Sequence, residues 1–380
     1  MKHIVPLILA AAIITATSGC GADKSIRYYN LGLDAVQRDD YDEAIRLWRE
    51  SLKYRPDDPE TRYNLGAALM AKKRFAEAEI ELAKAVELNQ LDLESQHMFG
   101  RCEEELGKLP EAKHAYEFAL TLKATYVPAL IGLASVALKE NQNKSAEDYA
   151  TQAAELDPNN VEADMVLSEA YFRNGNLASA YAQLMSARRL EPTNPDLLLL
   201  LGKVEYERRM YPDARESLDA ARTLGMLTDE LYVYLALTNL ALGEASEAEE
   251  HFHLAIYRNP ENARAWKGLA ETYIRERRWR EATDAVAKAS ALAPDDPETI
   301  LDDAVVTMNS GDAGSAAAKL EALSQRADAP EITGYYLGHA YLRTGRNAEA
   351  RAAFERFAKS WQGDASLAEE ARVISARLSH

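Results

Sequence analysis

Small and hydrophobic side chains recur along this chain with a fixed step of 34 residues. When Ser25 is taken as position 1 of the first block, position 20 is alanine in all ten successive blocks. These alanines are Ala44, Ala78, Ala112, Ala146, Ala180, Ala214, Ala248, Ala282, Ala316 and Ala350. Position 8 is Gly, Ala or Ser in every block, and position 7 is Leu or Phe in nine. Such a period indicates a stacked repeat architecture.

Within each block the pattern follows the 3.6-residue period of two α-helices. Positions 4, 7, 8 and 11 share one face of a first helix, and positions 20, 24 and 27 share one face of a second. Small side chains at positions 8 and 20 let the two helix axes approach, and larger ones at 7 and 24 fill the remaining space. Glycine at position 15 in five blocks indicates a left-handed exit from the first helix. An all-α chain of ten helix-turn-helix repeats is predicted.

The repeat resembles the tetratricopeptide repeat (TPR) over residues 25–364. The first block carries the motif as Tyr28, Leu31 and Gly32, then Ala44 and Trp48, then Pro56. The resemblance implies a right-handed superhelical solenoid whose first helices line a concave groove. After the last block, Asp364 is a suitable N-cap, and residues 365–380 are predicted to form a capping helix that closes the stack.

The N-terminus has the pattern of an export signal. Lys2 is followed by an uncharged apolar run over residues 4–16, which is too short to span a membrane, and then by small residues and Cys20. This ending resembles the lipobox of bacterial lipoproteins, although that family prefers Leu where Thr17 stands. The resemblance implies a lipoprotein signal peptide over residues 1–19 and lipidation of Cys20. An ordinary cleaved signal peptide is the alternative.

The lipoprotein resemblance also implies a location. Residues 20–24 would be the lipidated cysteine and a short tether, so the repeats would begin close to the bilayer. Gly21 follows the cysteine, where an Asp would signal retention in the inner membrane. We therefore expect a lipid anchor in the outer membrane, with the protein facing the periplasm.

Charge and motif content narrow the function classes. The net charge of −17 repels phosphate backbones, so no nucleic acid partner is expected. None of the seven histidines forms a metal-binding motif, and Gly-rich phosphate loops and nucleophile elbows are absent from the sequence. Cys102 lies on a first helix whose neighbours predict burial. We expect no catalytic residues, no metal, no cofactor and no enzyme activity.

The TPR resemblance places partner binding on first-helix positions 2, 5, 9, 12 and 13. The groove residues selected on this basis are Tyr29, Tyr63, His97, Arg101, Met165, Phe172, Lys203, Tyr206, Lys267, Tyr335 and His339. Position 12 is apolar or aromatic in nine blocks, with Glu104 as the exception. The expected partners are protein or peptide segments with hydrophobic side chains. Tyr29 and Leu33 replace residues that the carboxylate clamp of TPR cochaperones requires, so capture of chaperone tails is not predicted.

The favoured function is a membrane-anchored interaction scaffold of the bacterial envelope. TPR lipoproteins, which the layout resembles, help to assemble envelope machines such as pilus or secretion pores and polysaccharide exporters. The alternative is a carbohydrate-binding accessory of polysaccharide synthesis or export, in which groove tyrosines would stack on sugars.

One position breaks the repeat pattern. Asp303 occupies position 7, where the other nine blocks have Leu or Phe. A buried carboxylate needs a basic partner, or else the ninth repeat is loosened and acts as a flexible joint. Either interpretation is favoured over a catalytic acid.

Overall fold

A computed structural model describes residues 20–378, with side chains from residue 22 onward. The predicted signal peptide over residues 1–19 and the side chain of Cys20 lie outside the described residues. Within the described range all regular secondary structure is helical, in ten consecutive pairs and a final single helix. The all-α prediction is confirmed.

The first helices of the pairs are α1 (Cys20–Gln37), α3 (Pro59–Ala71), α5 (Leu93–Glu105), α7 (Val127–Lys139), α9 (Val161–Arg173), α11 (Pro195–Glu207), α13 (Asp229–Leu242), α15 (Ala263–Arg275), α17 (Pro297–Asn309) and α19 (Thr333–Arg343). The second helices are α2 (Tyr41–Leu52), α4 (Phe75–Leu88), α6 (Leu109–Leu122), α8 (Asn143–Leu156), α10 (Leu177–Leu190), α12 (Tyr211–Thr223), α14 (Ala245–Arg258), α16 (Trp279–Leu292), α18 (Ala313–Ser324) and α20 (Asn347–Ser360). The final helix is α21 (Ala365–Arg377).

The chain divides into two compact units at Leu200 and Leu201, within α11. The first unit contains α1 to α10, and the second contains α12 to α21. In the first unit each helix packs on the next along the chain, from α1 to α10. In the second unit the same holds from α12 to α21. The superhelical hand stays a prediction.

Residues 20–24 were expected to form a short tether. In the structure they are instead the first residues of helix α1, which begins at Cys20. Asp23 lies in the first turn of this helix, where its negative charge stabilises the positive end of the helix dipole. No helix among residues 20–378 is both long enough and apolar enough to cross a membrane.

The core of each repeat is formed by one side chain at position 24 and the small residues around it. All ten position-24 side chains are no more than 2% exposed, and all ten position-20 alanines are 0% exposed. Trp48 packs on Gly32, where a Cβ atom would overlap the indole ring. Leu82 and Gly66 make the same contact in the second repeat. The predicted close approach of the two helices is confirmed.

Position 15 has a left-handed backbone in every repeat. Gly107, Gly175, Gly243, Gly311 and Gly345 have φ between 75° and 104°, as their sequence position predicts. Five other residues at this position, namely Asp39, Lys73, Asn141, Arg209 and Arg277, have φ between 57° and 61° although they carry a Cβ. The turn geometry is therefore imposed by the packing of the two helices, and glycine only relieves its strain.

Helix α21 closes the last repeat. Its N-cap is Asp364, whose carboxylate accepts a hydrogen bond from the Ser366 backbone N–H at 2.9 Å. Ala371 is fully buried against the hydrophobic cluster of the last two repeats, and Leu367 and Ile374 pack beside it. The predicted capping helix is present over residues 365–377.

Replacement of Gly66 by alanine should destabilise the fold. The new Cβ would lie 2.5 Å from Leu82 Cγ, so the two helices would have to separate, at a cost of about 1–3 kcal/mol. The control is Gly314→Ala, because the nearest atom to a Cβ there is 3.7 Å away and alanine favours the helix. Thermal unfolding should show a lower Tm only for Gly66→Ala; equal Tm values would contradict the packing described.

Lys73→Gly should stabilise the fold by up to about 1 kcal/mol, because glycine removes the strain of a left-handed backbone. Gly175→Ala should do the reverse. No atom lies within 4 Å of a Cβ at Gly175, so any loss would come from the backbone alone. Denaturant unfolding measures both changes in the free energy of unfolding. A Gly175→Ala variant as stable as wild type would contradict the proposed strain of a left-handed backbone at position 15.

Candidate binding face on the first helices

The first helices form the more closely spaced layer of each unit. In the first unit α3 contacts α5, α5 contacts α7, and α7 contacts α9. In the second unit α13, α15, α17 and α19 contact one another in the same order. No two consecutive second helices in the described part of the chain are as closely packed. Side chains from successive first helices therefore converge on one face, which we call the inner face.

Acidic residues at position 2 connect neighbouring first helices across this face. The hydroxyl of Tyr29 donates to Glu60 Oε1 at 2.7 Å and accepts from Asn64 at 3.1 Å. Lys203 forms an ion pair with Glu230 at 2.8 Å. Six of the ten position-2 residues are acidic, and this signal was overlooked in the sequence. These carboxylates also lie in the first turns of their helices, which the helix dipole favours.

Lys267 on α15 also pairs with acidic residues at the start of the next first helix. Its ammonium group lies 2.5 Å from Oε2 of Glu298 on α17 and 3.4 Å from Oδ2 of Asp296, the N-cap of that helix. Burial opposes the charge of this lysine, but its hydrogen bond and charge contacts with Glu298 and Asp296 raise its pKa. Lys267 therefore contributes to the stacking of repeats, and its charge is already compensated.

Tyr63 is a correction to the predicted groove. It is 1% exposed and belongs to the hydrophobic cluster of the first three repeats, so it cannot contact a partner. Burial raises the pKa of its hydroxyl far above the ordinary value. Position 5 was assigned to the groove from a family pattern, but here the side chain is part of the buried cluster that also contains Met98 and Cys102 of α5.

The other predicted residues are half-buried, and several of them contact one another. Tyr335 lies edge-on to His339, with ring centroids 4.6 Å apart, and both pack on Phe354. Burial lowers the pKa of His339. Met165 and Phe172 are half-buried on α9.

Tyr206 belongs to a cluster of aromatic and basic side chains in the second unit. Its ring is edge-on to Tyr234 at 5.9 Å. The guanidinium of Arg264 lies 4.5 Å from the centre of the Tyr234 ring, and the Lys203 ammonium lies 5.8 Å from it. Cations over an aromatic face are attracted by its negative quadrupole. Arg264 is exposed, so it is the member of this cluster that a partner would contact first.

His97 and Arg101 line one hollow of about 200 Å³ on the inner face of the first unit. The hollow is formed by α5, α7 and α9, and its lining includes Ile131, Ser135 and Val166. Burial lowers the pKa of His97 to about 3, with a smaller effect from the Arg101 charge, so its ring is neutral near pH 7. We refer to this feature as the Arg101 hollow.

Comparison with protein families decides what these repeats are. A tetratricopeptide repeat model matches residues 29–92 and 335–376, and a second one matches residues 239–299. A model described as anaphase-promoting complex, cyclosome, subunit 3 matches residues 139–221. The chain is a TPR protein.

Two curated relatives are similar over part of their lengths. The BBSome complex member BBS4 of Bos taurus is 23% identical over 283 residues, which is 74% of this chain and 54% of the relative. The peroxisomal targeting signal receptor of Kluyveromyces lactis is 26% identical over 215 residues, 54% of this chain and 36% of the relative. The TPR chain thus spans about half, or less, of the length of these relatives.

Solved structures share the fold. A TPR protein from Parabacteroides merdae ATCC 43184 superposes with a TM-score of 0.54 at 17% identity, covering 66% of this chain and 99% of that structure. The APC/C hetero-tetramer Cut9-Hcn1 gives a TM-score of 0.53 at 13% identity, covering 94% and 90%. Its repeats make this TPR protein a protein–protein interaction scaffold.

Two further side chains fall where the TPR packing places them. Cys102 is fully buried, its Sγ is 3.4 Å from the Phe75 carbonyl, and burial raises its pKa to about 12, so the prediction of burial is confirmed.

Asp303 is 38% exposed and pairs with Lys319 at 2.7 Å. The basic partner expected for Asp303 is therefore present, whereas the expected burial of its carboxylate is wrong, because the side chain is half-exposed. The flexible joint stays a prediction.

The described residues contain no group of three or more His, Cys, Asp or Glu side chains that could hold a metal ion.

Asp302, at position 6 of the ninth repeat, was not singled out in the sequence. It is half-buried on α17 and lies close to several charged side chains. The charges of Glu271 and Lys267 on α15, of Glu298 on α17 and of its N-cap Asp296 act on this carboxylate, and Asp302 in turn raises the pKa of Tyr336 on α19. Burial, followed by the charge of Glu271, raises the pKa of Asp302 to about 8.

Asp302 should make the stability of the TPR array depend on pH. Between the ordinary value of 3.8 and about 8, the folded chain holds a proton that the unfolded chain has lost, so stability falls as pH rises. Asp302→Asn should remove this loss, so its stability advantage over wild type should grow by about 1–3 kcal/mol between pH 5 and pH 9. Thermal unfolding between pH 5 and pH 9 measures this difference in stability, with Asp57→Asn, at an exposed residue, as the control. Parallel pH profiles of Tm for wild type and Asp302→Asn would contradict this role of Asp302.

Proposed function

We propose that this TPR protein is an interaction scaffold of the bacterial envelope, anchored by lipid on Cys20, that binds partner segments on its inner face. The observation that carries the proposal is the inner face itself. Successive first helices bring half-buried aromatic and basic side chains together there, among them Tyr206 and Arg264. Large amphipathic side chains with a cationic neighbour are typical of sites that anchor a protein partner.

The N-terminal pattern supports the anchor. A short apolar run and small residues precede Cys20, as in a lipoprotein signal. One acyl chain holds a protein only marginally at a bilayer, whereas two or three hold it stably. Helix α1 begins at Cys20, so a lipidated cysteine would connect the first TPR to the outer membrane without a long linker.

The repeated layout supports a role in assembling an envelope machine. Ten helix pairs offer several partner sites on one chain. The bovine relative is by its name a member of a complex, which supports such a role.

The carbohydrate alternative has less support. Of the tyrosines that would stack on sugars, Tyr63 is buried, Tyr29 is held by Glu60, and Tyr335 packs against His339 and Phe354.

Cys20→Ser should abolish lipidation. In a Gram-negative host grown with labelled palmitate, the wild-type chain should carry label and sediment with membranes, and the variant should do neither, because the acyl chains require the Cys20 thiol. Cys102→Ser is the matched control and should keep the label, since the buried Cys102 is not accessible. Label on the Cys20→Ser chain, or none on wild type, would exclude the anchor.

Site-specific photo-crosslinking tests the inner face. A photoreactive phenylalanine replaces Arg264, an exposed residue on first helix α15, or Tyr257, which is 82% exposed on second helix α14. Adducts with envelope proteins are expected from position 264 and not from position 257, because only the first position lies on the inner face. Adducts from position 257 alone, or from neither, would contradict the proposed function.

A further inference from the structure

The first repeat differs from the others on one side of its first helix. In the nine later repeats position 3 is Thr, Ser, Ala or Leu and is no more than 2% exposed. First helices such as α3, α5 and α7 pack on the second helix of the preceding repeat. Within residues 20–378 no second helix precedes α1, and its position 3 is the exposed Arg27. This side of α1 therefore differs in composition from the side that later first helices bury.

Two large hydrophobic side chains are also exposed in the first repeat. Leu31 at position 7 is 38% exposed, whereas the leucine at this position is no more than 4% exposed in seven other repeats. Tyr54 at position 30 is 40% exposed and replaces the leucine found there in six other repeats. A terminal repeat that faces only water is polar on its outer side. A mixture of basic, aromatic and aliphatic side chains is instead typical of a membrane interface.

The helical register places the proposed lipidation residue on this side of α1. Residues 20, 24, 27 and 31 recur at the helical spacing, so they fall on one stripe of the helix. The stripe is about 16 Å long. Lys24, Arg27 and Leu31 on this stripe are exposed. An acyl chain on Cys20 would therefore leave α1 on the same side as these three side chains.

Two tyrosines lie beside the stripe. The rings of Tyr28 and Tyr54 stack with their centroids 6.1 Å apart and their planes 11° from parallel. The Lys24 ammonium lies 5.5 Å from the centre of the Tyr54 ring. Tyrosines are enriched at the headgroup level of membranes, and lysine keeps its ammonium there while its stem contacts apolar groups. We call Lys24, Arg27, Tyr28, Leu31 and Tyr54 the α1 edge.

The charge of α1 also suits the surface of a bilayer. Helix α1 carries two acids, Asp23 and Asp34, and two bases, Lys24 and Arg27, so its net charge is zero. The two bases lie between the two acids along the helix. The whole chain carries −17, so a bilayer with anionic phospholipids repels it. The α1 edge can approach phosphate headgroups without the repulsion that an acidic helix would meet.

We propose that the α1 edge lies against the phospholipid headgroups of the bilayer that holds the acyl chains of Cys20. Leu31 and Tyr54 insert between headgroups, and Lys24 and Arg27 contact the phosphates. Helix α1 then lies along the membrane surface. The inference rests on the proposed lipid anchor and adds the surface that the anchored protein presents to the membrane. Because the anchor already holds this edge beside the bilayer, weak contacts are enough to fix the orientation.

Photo-crosslinking to lipid tests the α1 edge in the full chain. A photoreactive phenylalanine replaces Leu31, or Ile80 on second helix α4, in Gram-negative cells grown with labelled phosphate. Ile80 is 66% exposed, so a non-specific contact with lipid would favour it over Leu31. After irradiation, labelled phospholipid should be attached to the chain from position 31 and not from position 80. The acyl chains on Cys20 contain no phosphate, so they do not contribute to this signal.

Reversal of two charges tests the contact with phosphate. The chain with Lys24→Glu and Arg27→Glu should give about threefold or more less lipid adduct from position 31, because attraction to the headgroups becomes repulsion. The matched control carries Lys113→Glu and Lys123→Glu in the third repeat, which change the net charge equally and should leave the adduct yield unchanged. Labelled palmitate and Tm, measured on both chains, show that lipidation and folding are intact.

Several results would overturn the inference. These are equal lipid adducts from positions 31 and 80, an equal loss in both charge-reversed chains, and adducts of position 31 with a second copy of the chain or with residues 1–19 in place of lipid. If wild type carries labelled palmitate but position 31 gives no lipid adduct, the anchor stands and only the orientation is wrong. If wild type carries no palmitate, the anchor itself fails and the orientation falls with it.

Discussion

The contact between position 24 of each second helix and the small residues of the neighbouring first helices governs the distance between helices. Trp48 on Gly32, Tyr116 between Gly100 and Gly132, and Phe252 on Gly268 all lie where no Cβ could be added. Where position 24 shrinks to Ala150, the opposing residue is Ala134 and the neighbouring Tyr149 packs on the same cluster. Close packing tolerates changes of shape only when the local volume is conserved.

This spacing is what makes the inner face possible. Because the first helices approach one another more closely than the second helices do, their side chains at positions 2, 5 and 9 are within hydrogen-bonding distance of the next repeat. Tyr29, Lys203 and Lys267 are used in this way. Such contacts are partly exposed, so each contributes little to stability, and their main effect is to hold the register of adjacent repeats. Residues without a partner on the chain then remain available for ligands.

The basic side chains of this acidic protein are largely engaged in ion pairs within the described residues. With a net charge of −17, an arginine on this surface has many acids within reach. Arg278 contacts Glu249, Glu276 and Glu281, and the side-chain hydrogen bonds to these acids raise its pKa. Lys203 and Lys267 on the inner face pair with acidic residues of the next repeat in a similar way.

The sequence by itself determined the helix pairs, the burial of the position-20 alanines, the turn glycines and the capping helix, since each depends on residues within one block or its neighbour. Only the tertiary structure decided that Tyr63 is core, that Asp303 reaches solvent, and that Lys73 and Arg209 adopt the same turn as glycine. The Arg101 hollow also needed the structure, because it joins side chains from three first helices that are 34 residues apart in sequence. Local periodicity specifies which face of a helix is buried, but the space left between helices depends on every side chain that fills it.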